Sequence, residues 1–126
     1  MRVFRNRWIT RWARKEHVSD NVLFTAAQEI VEGKVEADLG GSLFKKRLPR
    51  SGGGKRGGYR IIVGYRKPNS ERIIFLYAFD KKDKVTISDE EVAAFRLVAE
   101  DIISASDGQV SKLLTENFMT EVKHNE

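Results

Sequence analysis

From Ile73 to Phe79 the chain reads I-I-F-L-Y-A-F, seven residues without a charge, bounded by Arg72 and Asp80. A run this short and this apolar, rich in β-branched and aromatic side chains, predicts a strand near the middle of a sheet. Its neighbours in sequence supply partners. Leu43 to Leu48 alternates and stops at Pro49, and Tyr59 to Tyr65 alternates again. A turn at Pro68-Asn69-Ser70 leads into the apolar run, so the three segments predict an antiparallel meander. Period-two geometry then assigns faces. Lys45 and Arg47 share one side of their strand, while Phe44, Lys46 and Leu48 share the other. Tyr59, Ile61, Val63 and Tyr65 face one way, and Arg60, Ile62 and Gly64 face the opposite way.

Helices flank this meander. Arg2 to Arg7 predicts a short edge strand, followed by helical spacing at Trp8, Ile9, Trp12 and Ala13, where both tryptophans read as core residues. Ser19-Asp20-Asn21 offers a helix cap before the stripe Val22, Leu23, Ala26, Ala27, Ile30 and Val31, which Gly33 ends. Ser88 and Glu91 form a capping box for a last helix with Val92, Phe95, Val98, Ala99, Ile102 and Ile103 on its apolar side. Ser106-Asp107-Gly108 ends that helix, and the weakly amphipathic tail beyond leaves its packing open. The prediction is an α+β domain over residues 1–106 with a tail at 107–126 whose weak amphipathicity allows a helix. Its small antiparallel sheet of about four strands carries an N-terminal helix pair and a C-terminal helix, with one sheet face covered and the other bare.

Composition narrows the chemistry. A length of 126 residues suits one core. The absence of cysteine excludes disulfides, thiolate zinc sites and cysteine nucleophiles, and His17 and His124 have no ligand-spaced companions. No apolar run approaches a membrane span, and the basic start lacks the apolar core of a secretory signal, so the expected location is the cytoplasm. Charge is unevenly spread. Residues 45–63 hold seven cations and five glycines with no acid, whereas Ser88 to Glu126 holds nine acids and three bases. A polyanion is the partner such asymmetry attracts.

The glycines at 52, 54 and 57 spell G-x-G-x-x-G, but a strand follows instead of the helix that a dinucleotide fold requires. A phosphate-binding P-loop fails as well, since Lys55 precedes an arginine and not a serine or threonine. No nucleophile elbow is present, and the acids cluster away from the basic face. Cations acting on phosphate remain. An RNA strand carries its own nucleophile, the 2′-hydroxyl, and cleavage needs a base, an acid and positive charge on the phosphorane. Lys45, Arg47, Arg60 and Lys81 converge across neighbouring strands in this reading. Composition leaves cleavage and plain RNA binding equally open.

The stretches EADLGGSLFKKRLPRSGGGKRGGYRIIVGYR and IIFLYAFDKKDKVTIS resemble the RelE/ParE superfamily of bacterial toxins, closest to the HigB-like subset. The glycine pair, the K-x-R strand, the G-K-x-G-G-x-R junction and the aromatic-x-K strand end carry the likeness, and WARKEHVSDN extends it. It covers about residues 2–105. The resemblance implies a microbial-RNase-like fold and a type II toxin neutralised by a cognate antitoxin. It also implies metal-independent, cofactor-free cleavage of mRNA on the ribosome. By position, Lys45 or Arg47 would orient and activate the hydroxyl, Arg60 would stabilise the phosphorane, and Lys82 would bind phosphate or assist the leaving oxygen. Lys46, Arg50, Lys55, Arg56 and Lys81 would hold RNA. KVTIS lacks the tyrosine that stacks on a base in RelE, which leaves Phe79 for stacking. Two other readings stand beside this one: a ParE-like toxin directed at gyrase, and a non-catalytic RNA-binding module.

Overall fold

The computed structural model describes residues 1–50, 58–66, 72–84 and 86–124. In chain order the elements are β1 (Arg2–Asn6), α1 (Arg7–Glu16), α2 (Asp20–Val31), β2 (Ala37–Gly40) and β3 (Leu43–Leu48). There follow β4 (Tyr59–Tyr65), β5 (Arg72–Asp80), α3 (Asp89–Ser104), α4 (Asp107–Thr115) and β6 (Met119–Glu121). The glycine loop and the Pro68-Asn69-Ser70 turn lie outside the described residues.

The strands form one sheet in the order β2-β3-β4-β5-β1-β6. The β3-β4-β5 meander is antiparallel, as its alternation requires, and the apolar run 73–79 sits inside the sheet. Two expectations need correction. β1 is no edge strand: it runs parallel to β5, with Arg2 opposite Arg72, and β6 pairs antiparallel on its far side. The sheet is therefore mixed and six-stranded, not an antiparallel sheet of four.

The second correction concerns the bare face. One face packs Val3, Ile61, Val63, Ile73 and Phe75 against Ile9 of α1 and Leu23, Ala27 and Ile30 of α2. The other packs Leu43, Ile62, Ile74 and Leu76 against Ala99 of α3 and Val110 of α4. Helices thus cover both sides. The cause lies in β5, which is apolar on both faces and cannot leave either to water. Gly64 sets how closely the second layer docks: a Cβ there would stand 2.8 Å from the Ala99 Cβ and 3.0 Å from Ile74 Cγ2.

Caps explain the boundaries. Asn6 and Ser19 accept hydrogen bonds from Ile9 and Val22 at the starts of α1 and α2. The Ser88–Glu91 capping box forms as the sequence requires. Ser106 does not close α3; it opens α4 through a second capping box with Gln109. Val110, Met119 and Val122 are buried, so the chain after Ser106 contributes to the core. No helix among the described residues is long and apolar enough to cross a membrane.

Candidate nucleic-acid interface

β3 and β4 bring the predicted cations together on the α3 side of the sheet. Arg47 lies directly opposite Arg60, and Lys45 lies opposite Ile62, so the three leave one face as their alternation demands. They meet at the end of the meander where Lys81 and Lys82 follow β5, both exposed. Lys45 is half-buried and Arg47 exposed, and neither makes an ion pair or hydrogen bond among the described residues.

Arg60 is different. It is 3% exposed. Its Nε faces a Glu36 carboxylate oxygen in an ion pair, yet no aligned hydrogen bond satisfies that nitrogen. Its Nη1 donates only a long bond, 3.5 Å, to the Gly58 carbonyl oxygen. Glu36 precedes β2, and its backbone N–H donates to the Lys45 carbonyl at 2.8 Å. With Lys34, Val35, Lys46 and Arg47 it lines a cleft of about 450 Å³ along the β3 edge. The expectation that acids stay away from the basic residues is corrected here. The signal was available: pairing a hairpin across Gly40-Gly41 returns Glu36 to the level of Lys45.

The remaining predicted residues scatter. Lys46 points to the opposite face, where its Nζ sits 3.2 Å from Glu29 Oε1 and donates to the Lys34 carbonyl at 2.8 Å. Arg50 pairs with the Asp80 carboxylate and lies over the Tyr59 ring, 5.1 Å from its centroid. The backbone N–H of Lys82, then Arg50, hold the Asp80 carboxyl below the usual carboxylate range. Burial, then the hydrogen bond to Glu16 at 2.7 Å, push the Tyr59 phenol up. Phe79 is 5% exposed and packs with Tyr77 and Ile87, so its ring offers no face to a base. Lys55 and Arg56 lie outside the described residues. The tryptophans are partly buried and pack against the core, Trp12 edge-on to Tyr59 at 5.0 Å and Trp8 against Tyr77 at 4.5 Å. His17 caps α1 in the left-handed conformation, and His124 stacks on Phe24 at 4.7 Å. Among the described residues no three His, Asp or Glu side chains cluster as a metal site would need.

Comparison with protein families supplies the context for this surface. The model of the RelE toxin of RelE/RelB toxin–antitoxin systems matches residues 1–122, which takes in α4 and β6 beyond the point near residue 105 where the motifs fade. A search of curated proteins returned no match. Since the match spans nearly the whole chain, the protein belongs to the RelE family, as a toxin of a toxin–antitoxin system whose partner is a cognate antitoxin.

Proposed function

We propose that this toxin is a metal-independent endoribonuclease that cuts mRNA on the ribosome, in the cytoplasm, and so stops translation. The observation that carries the reading is the shared face of Lys45, Arg47 and Arg60, with Lys45 and Arg47 free of partners among the described residues. Arg47 grips the scissile phosphate through its planar fork. Lys45 orients the 2′-hydroxyl and takes its proton as the oxygen attacks phosphorus. Lys82 gives a proton to the departing 5′-oxygen. The P–O5′ bond breaks, leaving a 2′,3′-cyclic phosphate and a 5′-hydroxyl. Arg60, behind Arg47, adds positive charge beneath the phosphorane. Lys81, exposed beside Lys82 after β5, adds a further cation.

The test is purified protein added to translating ribosomes, with mRNA ends mapped. Codon-aligned cuts are expected from the wild type. Arg47→Ala and Lys45→Ala should each lower cutting at least tenfold, at unchanged melting temperature. Intact mRNA with stalled gyrase would move the target to DNA topology. A second reading has its own support. Arg60, the residue assigned to the phosphorane, is buried against Glu36, which suits a surface that holds RNA without cutting it. Binding with no new mRNA ends would establish that alternative.

A further inference from the structure

Arg60 is a guanidinium with five N–H donors, and among the described residues it has one long hydrogen bond and one ion pair that leaves Nε without an aligned acceptor. A buried arginine satisfied this poorly is a site awaiting a better acceptor. The group now over it, Glu36, is a carboxylate, which presents a guanidinium with the same planar pair of oxygens that a phosphodiester does. Glu36 lies in the link between α2 and β2, outside both elements, and its side chain is 34% exposed. It can leave Arg60 without breaking a strand pair. It lines a cleft together with Val35 and three cations, Lys34, Lys46 and Arg47.

We propose that Glu36 is an internal stand-in for RNA: from the wall of the cleft it fills the phosphate position on Arg60, and a phosphodiester of single-stranded RNA displaces it to bridge Arg47 and Arg60. The inference rests on the mRNA-directed reading above and adds to it a gate on the same site. Arg47 makes the first contact because it is exposed and unpaired among the described residues. Transfer to Arg60 then requires Glu36 to swing into water. Glu36 therefore sets a threshold on affinity, so that the protein holds RNA weakly unless something else, such as the ribosome, presents the strand at high local concentration.

The experiment measures binding apart from cutting. A short single-stranded RNA with 2′-O-methyl groups at each position, which cannot be cleaved by its own hydroxyl, is titrated into the full chain at several salt concentrations. Glu36→Gln should bind at least fivefold tighter, and its log K against log salt should steepen by about 0.7, one added phosphate contact. Glu32→Gln controls for charge, because Glu32 pairs with Lys34 at 3.6 Å and is not the Arg60 partner. It should produce a smaller gain. The Arg60 Nε–H resonance should move on adding RNA to Glu36→Gln at concentrations that leave the wild-type signal in place. Should Glu36→Gln fail to fold, Glu36→Asp keeps the charge, shortens the reach and should move in the same direction. Equal gains in the two Glu→Gln variants, or an Arg60 signal indifferent to RNA, would overturn the gate. Tighter binding with no mRNA cutting by any variant would keep the gate and remove the nuclease reading. Cutting by the wild type with no change in affinity on Glu36→Gln would do the reverse.

Discussion

Two arginines that face each other across β3 and β4 have opposite surroundings, and this separates what each can be asked to do. Arg47 is exposed and free of partners among the described residues, so its removal costs the fold almost nothing. Arg60 is buried with a carboxylate against it, and truncating it leaves Glu36 beside a void. Breaking a buried pair costs about 3–5 kcal/mol, and Glu36 keeps enough contact with water to reduce this to about 2–3 kcal/mol. Arg60→Ala should therefore melt about 10 °C below the wild type in a domain of this size. Arg47→Ala should melt with the wild type. Calorimetry on both variants checks it, and equal melting temperatures would show that Arg60 is held for function alone. The sequence placed both residues on the correct face, since alternation is a local property. It did not reveal the burial: the hairpin across Gly40-Gly41 brings Glu36 level with Lys45, but the reach of its side chain over β3 to Arg60 is a tertiary contact that alternation does not encode.

At the scale of elements, β4 and α3 approach closely in the second layer. Gly64 lets the helix backbone approach; the Ala99 Cα would lie 3.3 Å from a Cβ placed there. Gly64→Ala must push against both α3 and Ile74, and overpacking of this kind costs about 1–3 kcal/mol. Ala99→Gly should recover part of that loss despite its own helix penalty of about 1 kcal/mol. A double-mutant cycle by denaturant unfolding should then show positive coupling of about 1 kcal/mol. Strict additivity would mean that the two elements are not in contact. This layer also shows where periodicity stops being informative. The stripe Val92, Phe95, Ala99 and Ile102 identifies α3 as amphipathic, but it does not say which face of the sheet the helix takes. The clue was in the strands. Ile62 and Gly64 alternate onto the side expected to be bare, and β5 is apolar throughout, so both faces demanded cover. β1 was assigned to an edge for a related reason: a parallel partner seventy residues away, Arg72 opposite Arg2, leaves no turn signal in between.

Across the whole molecule, the two ends of the chain meet in one sheet, where β6 lies on β1 and the Val122 N–H donates to the Val3 carbonyl at 2.8 Å. Arg2 reinforces that edge with two hydrogen bonds to Glu121, from Nε at 3.1 Å and from Nη2 at 2.9 Å. The Arg2 bond holds the Glu121 carboxyl below its ordinary range. Glu91, bonded by Lys84, and Asp80, held by the Lys82 N–H and Arg50, are shifted the same way. A carboxyl whose folded pKa lies below the unfolded value of about 4 gives its full contribution above that value and loses it as pH falls toward the folded pKa. Acid should therefore weaken the fold from about pH 4 downward, and the terminal edge should be among the first parts affected. Arg2→Gln removes the main cause of the Glu121 shift. Its melting temperature should fall less steeply than that of the wild type between pH 5 and pH 3, so the two curves converge in acid after standing apart at neutral pH. Amide exchange at Thr120 and Val122 should rise in wild-type protein over the same interval. Curves that run parallel through the whole range would show that the clasp between the termini contributes no proton-linked stability, and the acid response would then belong to Asp80 and Glu91, far from the chain ends.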